Sequence, residues 1–383
     1  MKVLKRDLVL FVFLLLNLFS KAQQNCCFTP GTEWLDNEGI PINAHGGGIV
    51  VYNDTYYWFG EHRPTNGFVT EKGIICYSSK DLYNWTNEGI VLPVSTDESS
   101  PIVKGCIMER PKVIYNKRTD KFVLYFHLEL KGKGYEAAQV GVAVSDKITG
   151  PFELIKASRV NPGKWPLNRG PYEIDRSLKP GDYKEWWTPK WYAAVKKGLF
   201  VLRDIEEGQM SRDMTLFVDD NEKAYHIYSS EDNLTLHVAE LTSDYLDYTG
   251  RYIRIDPAGH NEAPAVFKYN NRYFMITSGC TGWDPNEGRL LVADSMLGHW
   301  TRLDNPFKGE GSSLSFKSQS THVLPIKGSK NLFIYMGDRW TPNSLANSRH
   351  IWLPIQFENG LPTIRWYGKW TLPDYQNGSL FNK

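Results

Sequence analysis

Apolar and polar positions along the chain fall into one unit that recurs five times: an apolar strand, a polar turn, an aromatic strand and, in most copies, a third strand of alternating character. The copies are GGIVVYNDTYYWFGE from Gly47, RPKVIYNKRTDKFVLYFH from Arg110, MTLFVDDNEKAYHIYSS from Met214, APAVFKYNNRYFMITSG from Ala263 and THVLPIKGSKNLFIYMG from Thr321. The residues between the paired strands, among them Asn53-Asp54 and Asn270-Asn271, have the chemistry of tight hairpin turns. Third strands follow in GIICYSS, VGVAVSD, LTLHVAEL and GRLLVADS, and several run on into a fourth. Five four-stranded units around an axis predict an all-β, five-bladed β-propeller, with RHIWLPIQF and GLPTIRWYG completing the ring. A two-sheet sandwich is the alternative, but it does not call for five near-equal units.

One spacing breaks the pattern. The second and third units stand about twice as far apart as the others, so residues 157–209 are an insertion, rich in aromatics (Trp165, Tyr172, Trp186, Trp187, Trp191, Tyr192). Because it leaves the second blade and returns just before Asp213, it is expected to form a wall or lid of the axial site. At the other end of the chain, Lys2, Lys5 and Arg6 precede the run LVLFVFLLLNLF and the small-residue pattern Ser20-Lys21-Ala22. Residues 1–22 therefore read as an export signal, shorter than the ~18–20 apolar residues of a membrane span, and 23–383 as one catalytic domain, exported to the periplasm or beyond without a membrane anchor.

A formal charge of +1 leaves no electrostatic footprint for nucleic acid and points to a neutral ligand. Thirteen tryptophans suit a sugar, whose C–H faces stack on aromatic rings, although most of them are expected in the core. Cys26, Cys27, Cys76, Cys106 and Cys280 are too irregular for a disulfide scaffold or a zinc site; one or two bridges at most are expected, one of which could clip the N-terminal segment to the body. His45, His127 and His322 lack ligand spacing, and the acidic run Asp219-Asp220-Asn221-Glu222 reads as a hairpin turn rather than a calcium loop, so neither metal nor cofactor is expected.

In a propeller the innermost strand of every blade starts at the axial pocket. Residues just before the repeated strands therefore converge although they are far apart in sequence. Those positions read Asn43-Ala44-His45, Met108-Glu109-Arg110, Arg212-Asp213-Met214, Asn261-Glu262-Ala263 and Ser318-Gln319-Ser320. Three carboxylates meet there. Glycoside hydrolysis needs a proton donor on the leaving oxygen and a group for water on the far side, and crowded carboxylates keep one of their number protonated.

The blocks INAHGGGI, YYWFGE, ERPKVIYN, SRDMTLFVDD, YSSEDNLTL, EAPAVFK, TSGCTGWDPN, SQSTHVLP and YMGDRW, in that order from about Asn43 to Trp370, resemble glycoside hydrolase family 43, and within it the exo-β-1,3-galactanase-like subfamilies. The resemblance implies Glu262 as general acid and Asp213 as the carboxylate that tunes and orients it. It implies that Gln319 stands in for the base, since the wider family's first-blade aspartate is replaced by the stretch Asn43 to Gly47. An amide is a poor base, so Gln319 would act through its imidic tautomer or by positioning the water. By the same mapping Glu109, Glu61, Asn233, Thr281, Trp283 and Tyr135 bind the terminal sugar, with Trp283 stacking on its face. The implied activity is inverting, exo-acting release of galactose from a plant-type β-1,3-galactan or arabinogalactan oligosaccharide. The alternatives are an α-L-arabinofuranosidase or β-galactofuranosidase, and a non-catalytic sugar-binding propeller.

Overall fold

The computed structural model describes residues 25–167, 173–329 and 331–382. The signal-like segment and Tyr172 lie outside the described residues. The first sheet holds β1 (His45–Tyr52), β2 (Thr55–Glu61), β3 (Gly73–Ser79) and β4 (Thr86–Pro93), paired in chain order. The second holds β5 (Ile107–Asn116), β6 (Lys121–Glu129), β7 (Gln139–Ser145) and β8 (Glu153–Ser158). β9 (Met214–Val218), β10 (Ala224–Ser230), β11 (Thr235–Leu241) and β12 (Tyr248–Ile255) form the third, and β13 (Glu262–Tyr269), β14 (Arg272–Ser278), β15 (Arg289–Ala293) and β16 (Thr301–Leu303) the fourth. The fifth gains a strand: β17 (Phe307–Lys308) pairs parallel with β21 (Leu361–Arg365), outside β20 (Arg349–Glu358), β19 (Phe333–Arg339) and β18 (Gln319–Pro325). The innermost strands β1, β5, β9, β13 and β18 each contact the next around the ring, and β18 contacts β1. The chain is a five-bladed β-propeller.

The turns formed as their residues dictate. Asn53 and Asp54 have φ of 45° and 60°, and Asn270 and Asn271 of 47° and 60°; two left-handed residues in succession give a turn that matches strand twist. Asp219 and Asp220 face Lys268 at 2.7 and 2.8 Å in the third blade's hairpin, so that acidic run is charge-paired.

A second regularity sits at the axis. The registers of β1, β5 and β13 slip just past His45, Glu109 and Glu262, and the next residues, Gly46, Arg110 and Ala263, are left-handed at φ 61°, 54° and 54°. These are β-bulges, which re-aim a side chain at the end of a strand. At Gly46 no side chain is possible: a Cβ would lie 2.0 Å from Glu61 Oε1.

Each blade is drawn from one contiguous stretch of chain, so no strand is shared between the first and last blades. Side chains close the ring instead. Phe28 and Trp370 exchange backbone hydrogen bonds of 2.8 and 3.1 Å and stack at 4.2 Å, within a cluster containing Trp34, Trp58, Trp85 and Trp352. Asp338 of β19 accepts from Gly46 N at 2.6 Å and bonds both His45 and His350. All five cysteines are unpaired, so the N-terminal segment is held by Phe28 rather than by a disulfide. Trp370→Ala should cost about 3–5 kcal/mol, from the cavity and from the Trp352 carbonyl that loses its indole donor. An unchanged urea midpoint would show that this contact does not close the ring.

Candidate active site

A cavity of about 310 Å³ opens at the axis where the innermost strands begin. That is the low end of the roughly 300–1,000 Å³ common for small-molecule sites, room for few sugar rings. Its wall includes Glu109, Tyr135, Asp213, Asn233, Glu262, Trp283 and Gln319, seven of the nine residues singled out in the sequence. Glu61 and Thr281 are elsewhere. Glu61 is buried behind the wall, where Arg63 Nε and the Arg110 amide hold its carboxylate. The Thr281 hydroxyl turns into its own loop, donating to Asp284 O at 2.6 Å.

Glu262 stands between two amides. Asn233 Nδ2 donates to Oε1 at 2.7 Å, and Gln319 Nε2 approaches Oε2 at 3.5 Å. Burial pushes the Glu262 carboxyl up to about 8, and the charge of Asp213 pushes the same way against the pull of Arg110. Like-charge crowding is thus the smaller cause, and desolvation the larger. Asp213 is itself tied down, with Oδ2 2.8 Å from Arg110 and accepting from the Ala263 amide at 3.1 Å.

Gln319 has every polar group engaged. Its Oε1 accepts from Arg110 at 2.6 Å and from the Trp340 indole at 2.8 Å, and its Nε2 donates to Ser278 at 3.0 Å. Two N–H donors on the carbonyl oxygen oppose a proton there, which disfavours the imidic tautomer. Across the cavity, Glu109 accepts from Arg63 at 2.9 Å and Tyr135 at 3.0 Å and lies 3.2 Å from His127. Burial would raise its pKa, but Arg63 and His127 hold it far below the usual carboxylate range. His127 in turn sits between Glu109 and Glu129; burial alone would lower it, yet those two hydrogen bonds raise it to about 9. Glu109 is therefore a fixed anion suited to accepting from sugar hydroxyls and unsuited to taking a proton.

Trp340, Arg63 and His127 were not assigned roles in the sequence. Trp340 meets Trp283 edge-on at 5.2 Å and lies 5.6 and 5.7 Å from the Arg63 and Arg110 guanidiniums. It stands in the block YMGDRW and Arg63 just beyond WFGE, so block membership was the available signal.

None of the described residues of the 157–209 insertion lines the cavity, which corrects the expectation of a wall or lid. Its neck is a backbone pair between Val160 and Gln209, and it carries the short helices α1 (Pro189–Lys196) and α2 (Leu199–Arg203). Trp186, Trp187 and Trp191 pack on one another, and Trp191 and Phe200 form a core with Leu234 of the β10–β11 loop. That loop carries Asn233. Its residues Glu231, Asp232 and Asn233 are all left-handed, at φ 53°, 56° and 63°, and Glu231 is locked by Arg254, which also donates to the α1 carbonyls of Val195 and Lys196 at 2.8 and 2.9 Å. The insertion thus braces, from behind, the loop whose Asn233 bonds Glu262.

A closed propeller with a buried carboxyl, Glu262, beside the ion-paired carboxylates Glu109 and Asp213 over a small polar cavity has the layout of a glycosidase site. No family model and no curated protein matches the chain. Among solved structures it is similar to a family 43 β-1,3-galactosidase bound to galactodeoxynojirimycin, at 61% identity over 90% of this chain and 100% of that one, with a TM-score of 0.88. It is also similar to exo-β-1,3-galactanases from Clostridium thermocellum (32% identity, 90% and 66% of the two chains, TM-score 0.71) and Phanerochaete chrysosporium with β-1,3-galactotriose (29%, 90% and 68%, 0.71). The chain belongs to glycoside hydrolase family 43, among its exo-β-1,3-galactanase-like members, and is a glycoside hydrolase.

The raised pKa has a consequence for stability. Between its ordinary value near 4.5 and about 8, Glu262 ionises in the unfolded chain but stays protonated in the folded one, so its contribution to stability falls as pH rises through that window. Glu262→Gln removes the titration. The melting temperature of the variant minus that of the wild type should therefore grow from pH 5 to pH 8; a constant difference would mean Glu262 is not held protonated.

Proposed function

We propose that the protein is an inverting, exo-acting β-1,3-galactosidase with Glu262 as general acid. The observation that carries this is the neutral Glu262 carboxyl held between Asn233 and Gln319 over a small cavity. Glu262 donates its proton to the glycosidic oxygen as the bond to the anomeric carbon breaks, water adds to the opposite face, and the proton that this water sheds passes to solvent, from which Glu262 is reprotonated. Double displacement would need a second carboxylate free to bond that carbon. Asp213 is committed to Arg110, and Glu109 to Arg63 and His127, which supports a single displacement with inversion. Gln319, with Oε1 already carrying two donors, positions rather than abstracts. Glu109 and Tyr135 accept and donate to the hydroxyls of the bound sugar, and Trp283 offers its face. Galactose as that sugar is supported by the galactodeoxynojirimycin and galactotriose held by similar enzymes. A plant-type arabinogalactan as the polymer, and export by residues 1–22, complete the reading.

Proton NMR of a fresh digest of debranched β-1,3-galactan tests it. Galactose should appear as single residues, first as the α-anomer; β-galactose first would overturn inversion, and arabinose from arabinogalactan would overturn the sugar. The acid assignment has its own test. Glu262→Gln should cut turnover on galactan by roughly 10²–10⁴, and less on substrates with a good leaving group. In the wild type kcat/KM should fall about tenfold per pH unit above roughly 8, as the acid loses its proton, and this limb should vanish in the variant. Wild-type turnover by Glu262→Gln would place the acid elsewhere.

A further inference from the structure

The axial cavity does not end at its wall. Gly282, Trp283, Gln319 and Trp340 line it and also line a second cavity of about 240 Å³ on the side of the fourth and fifth blades. Lys317 and Arg339 of that second cavity line a third, wider groove of about 650 Å³ along the outer fifth blade. The three spaces therefore form one path leading out of the pocket.

Its charge changes along the way. The pocket mixes both signs, with Glu109 and Asp213 paired to Arg63 and Arg110 in its wall, whereas the outer groove presents Lys308, Lys317, Arg339 and Arg365 against one lining carboxylate, Glu310. In a chain with 44 basic and 43 acidic residues, that is a local concentration of one sign. Arg365 is paired with Glu358 at 2.9 Å, but the Lys308 ammonium donates to a backbone carbonyl, Asn305 O, and the Arg339 guanidinium to Phe316 O. Arg339 Nε is buried without a partner. Trp366 supplies an aromatic floor; it is 39% exposed, with Arg339 5.6 Å from its centroid and Phe316 packed beside it. A left-handed run at Ser315, Phe316 and Lys317, φ 51°, 58° and 59°, buries Phe316 and leaves Lys317 exposed at the junction of the two outer spaces. The run ends two residues before Gln319.

We propose that this path is an aglycone trough that selects glycans carrying carboxylate substituents, that is, uronic acid residues, while the pocket accepts a neutral terminal sugar. The proposal rests on the galactan reading of the pocket. In the pocket the Arg63 and Arg110 cations are already matched by Glu109 and Asp213, whereas a uronate some rings away would face Lys308, Lys317 and Arg339 in a groove with one lining carboxylate. The aromatic floor suits a sugar ring, and the cations suit its carboxylate. The chemistry thus differs by position along one ligand: neutral inside, acidic outside.

The test is titration calorimetry on the full chain carrying Glu262→Gln, so that the ligand survives. The ligands are a β-1,3-galacto-oligosaccharide bearing one glucuronic acid residue and its carboxyl-reduced counterpart, which keeps the rings and loses the charge. At low salt the acidic form should bind about five- to tenfold more tightly, and the gap should close at ~0.5 M salt. Adding Lys308→Glu and Lys317→Glu should abolish or reverse the preference. In an otherwise wild-type chain Lys308→Glu alone should leave hydrolysis of an aryl β-galactoside unchanged. Equal binding of the two ligands, or a preference that survives the double charge reversal, would overturn the trough. Failure of the wild type to cleave aryl β-galactosides would instead overturn the galactosidase reading, and the calorimetry would still decide the trough.

Discussion

The Arg110 guanidinium is the group on which the site depends. It is buried on a left-handed residue of the second blade, pairs with Asp213 of the third at 2.8 Å, donates to Gln319 Oε1 of the fifth at 2.6 Å and bonds the Ser320 carbonyl at 3.0 Å. Three blades thus meet on one side chain. A buried guanidinium without its partners leaves uncompensated charge, which typically costs ~3–5 kcal/mol, so the pairing constrains how the blades can approach. It also shapes the site: it pairs with Asp213, pulls on the Glu262 carboxyl against the upward push of burial, and by occupying Gln319 Oε1 disfavours the imidic tautomer of that amide.

The second layer explains why the acid stays where it is. Glu262 is steadied by two amides, and each amide comes from or just follows a run of three left-handed residues, Glu231 to Asn233 in one case and Ser315 to Lys317 in the other. Backbone of this kind persists only where the surroundings over-determine it. Around Glu231 the surroundings are Arg254, His237 and the carbonyl end of α1, so the insertion supports the backbone that carries Asn233.

Much of this was legible in the sequence, for physical reasons. Hairpin turns declare themselves because Asn-Asp and Asn-Asn tolerate left-handed backbone, and a repeat declares the ring because one unit cannot bury its own faces. The convergence of Glu109, Asp213, Glu262 and Gln319 followed from strand starts alone. What lay one layer out did not. Glu61 and Thr281 belong to the right blocks, but whether a side chain faces the cavity or its own loop is set by tertiary hydrogen bonds. Trp340 gained its place from a stack with Trp283 across two blades, which no local pattern encodes. The insertion's aromatic residues turned toward Leu234 and Ala258 rather than the pocket, since apolar surface buries against whatever neighbour completes a core.

Closure by side chains rather than by a shared strand has a consequence for how the chain is made. Phe28 is made 342 residues before Trp370, yet the two stack and exchange backbone bonds. The early blades can pair their strands as they appear, because each is contiguous, but the gap between first and last blade stays open until the C-terminal segment is present. The axial cavity is walled from both sides of that gap, by Arg63 of the first blade and Trp340 of the fifth. The site is therefore complete only when the fifth blade has docked against the first.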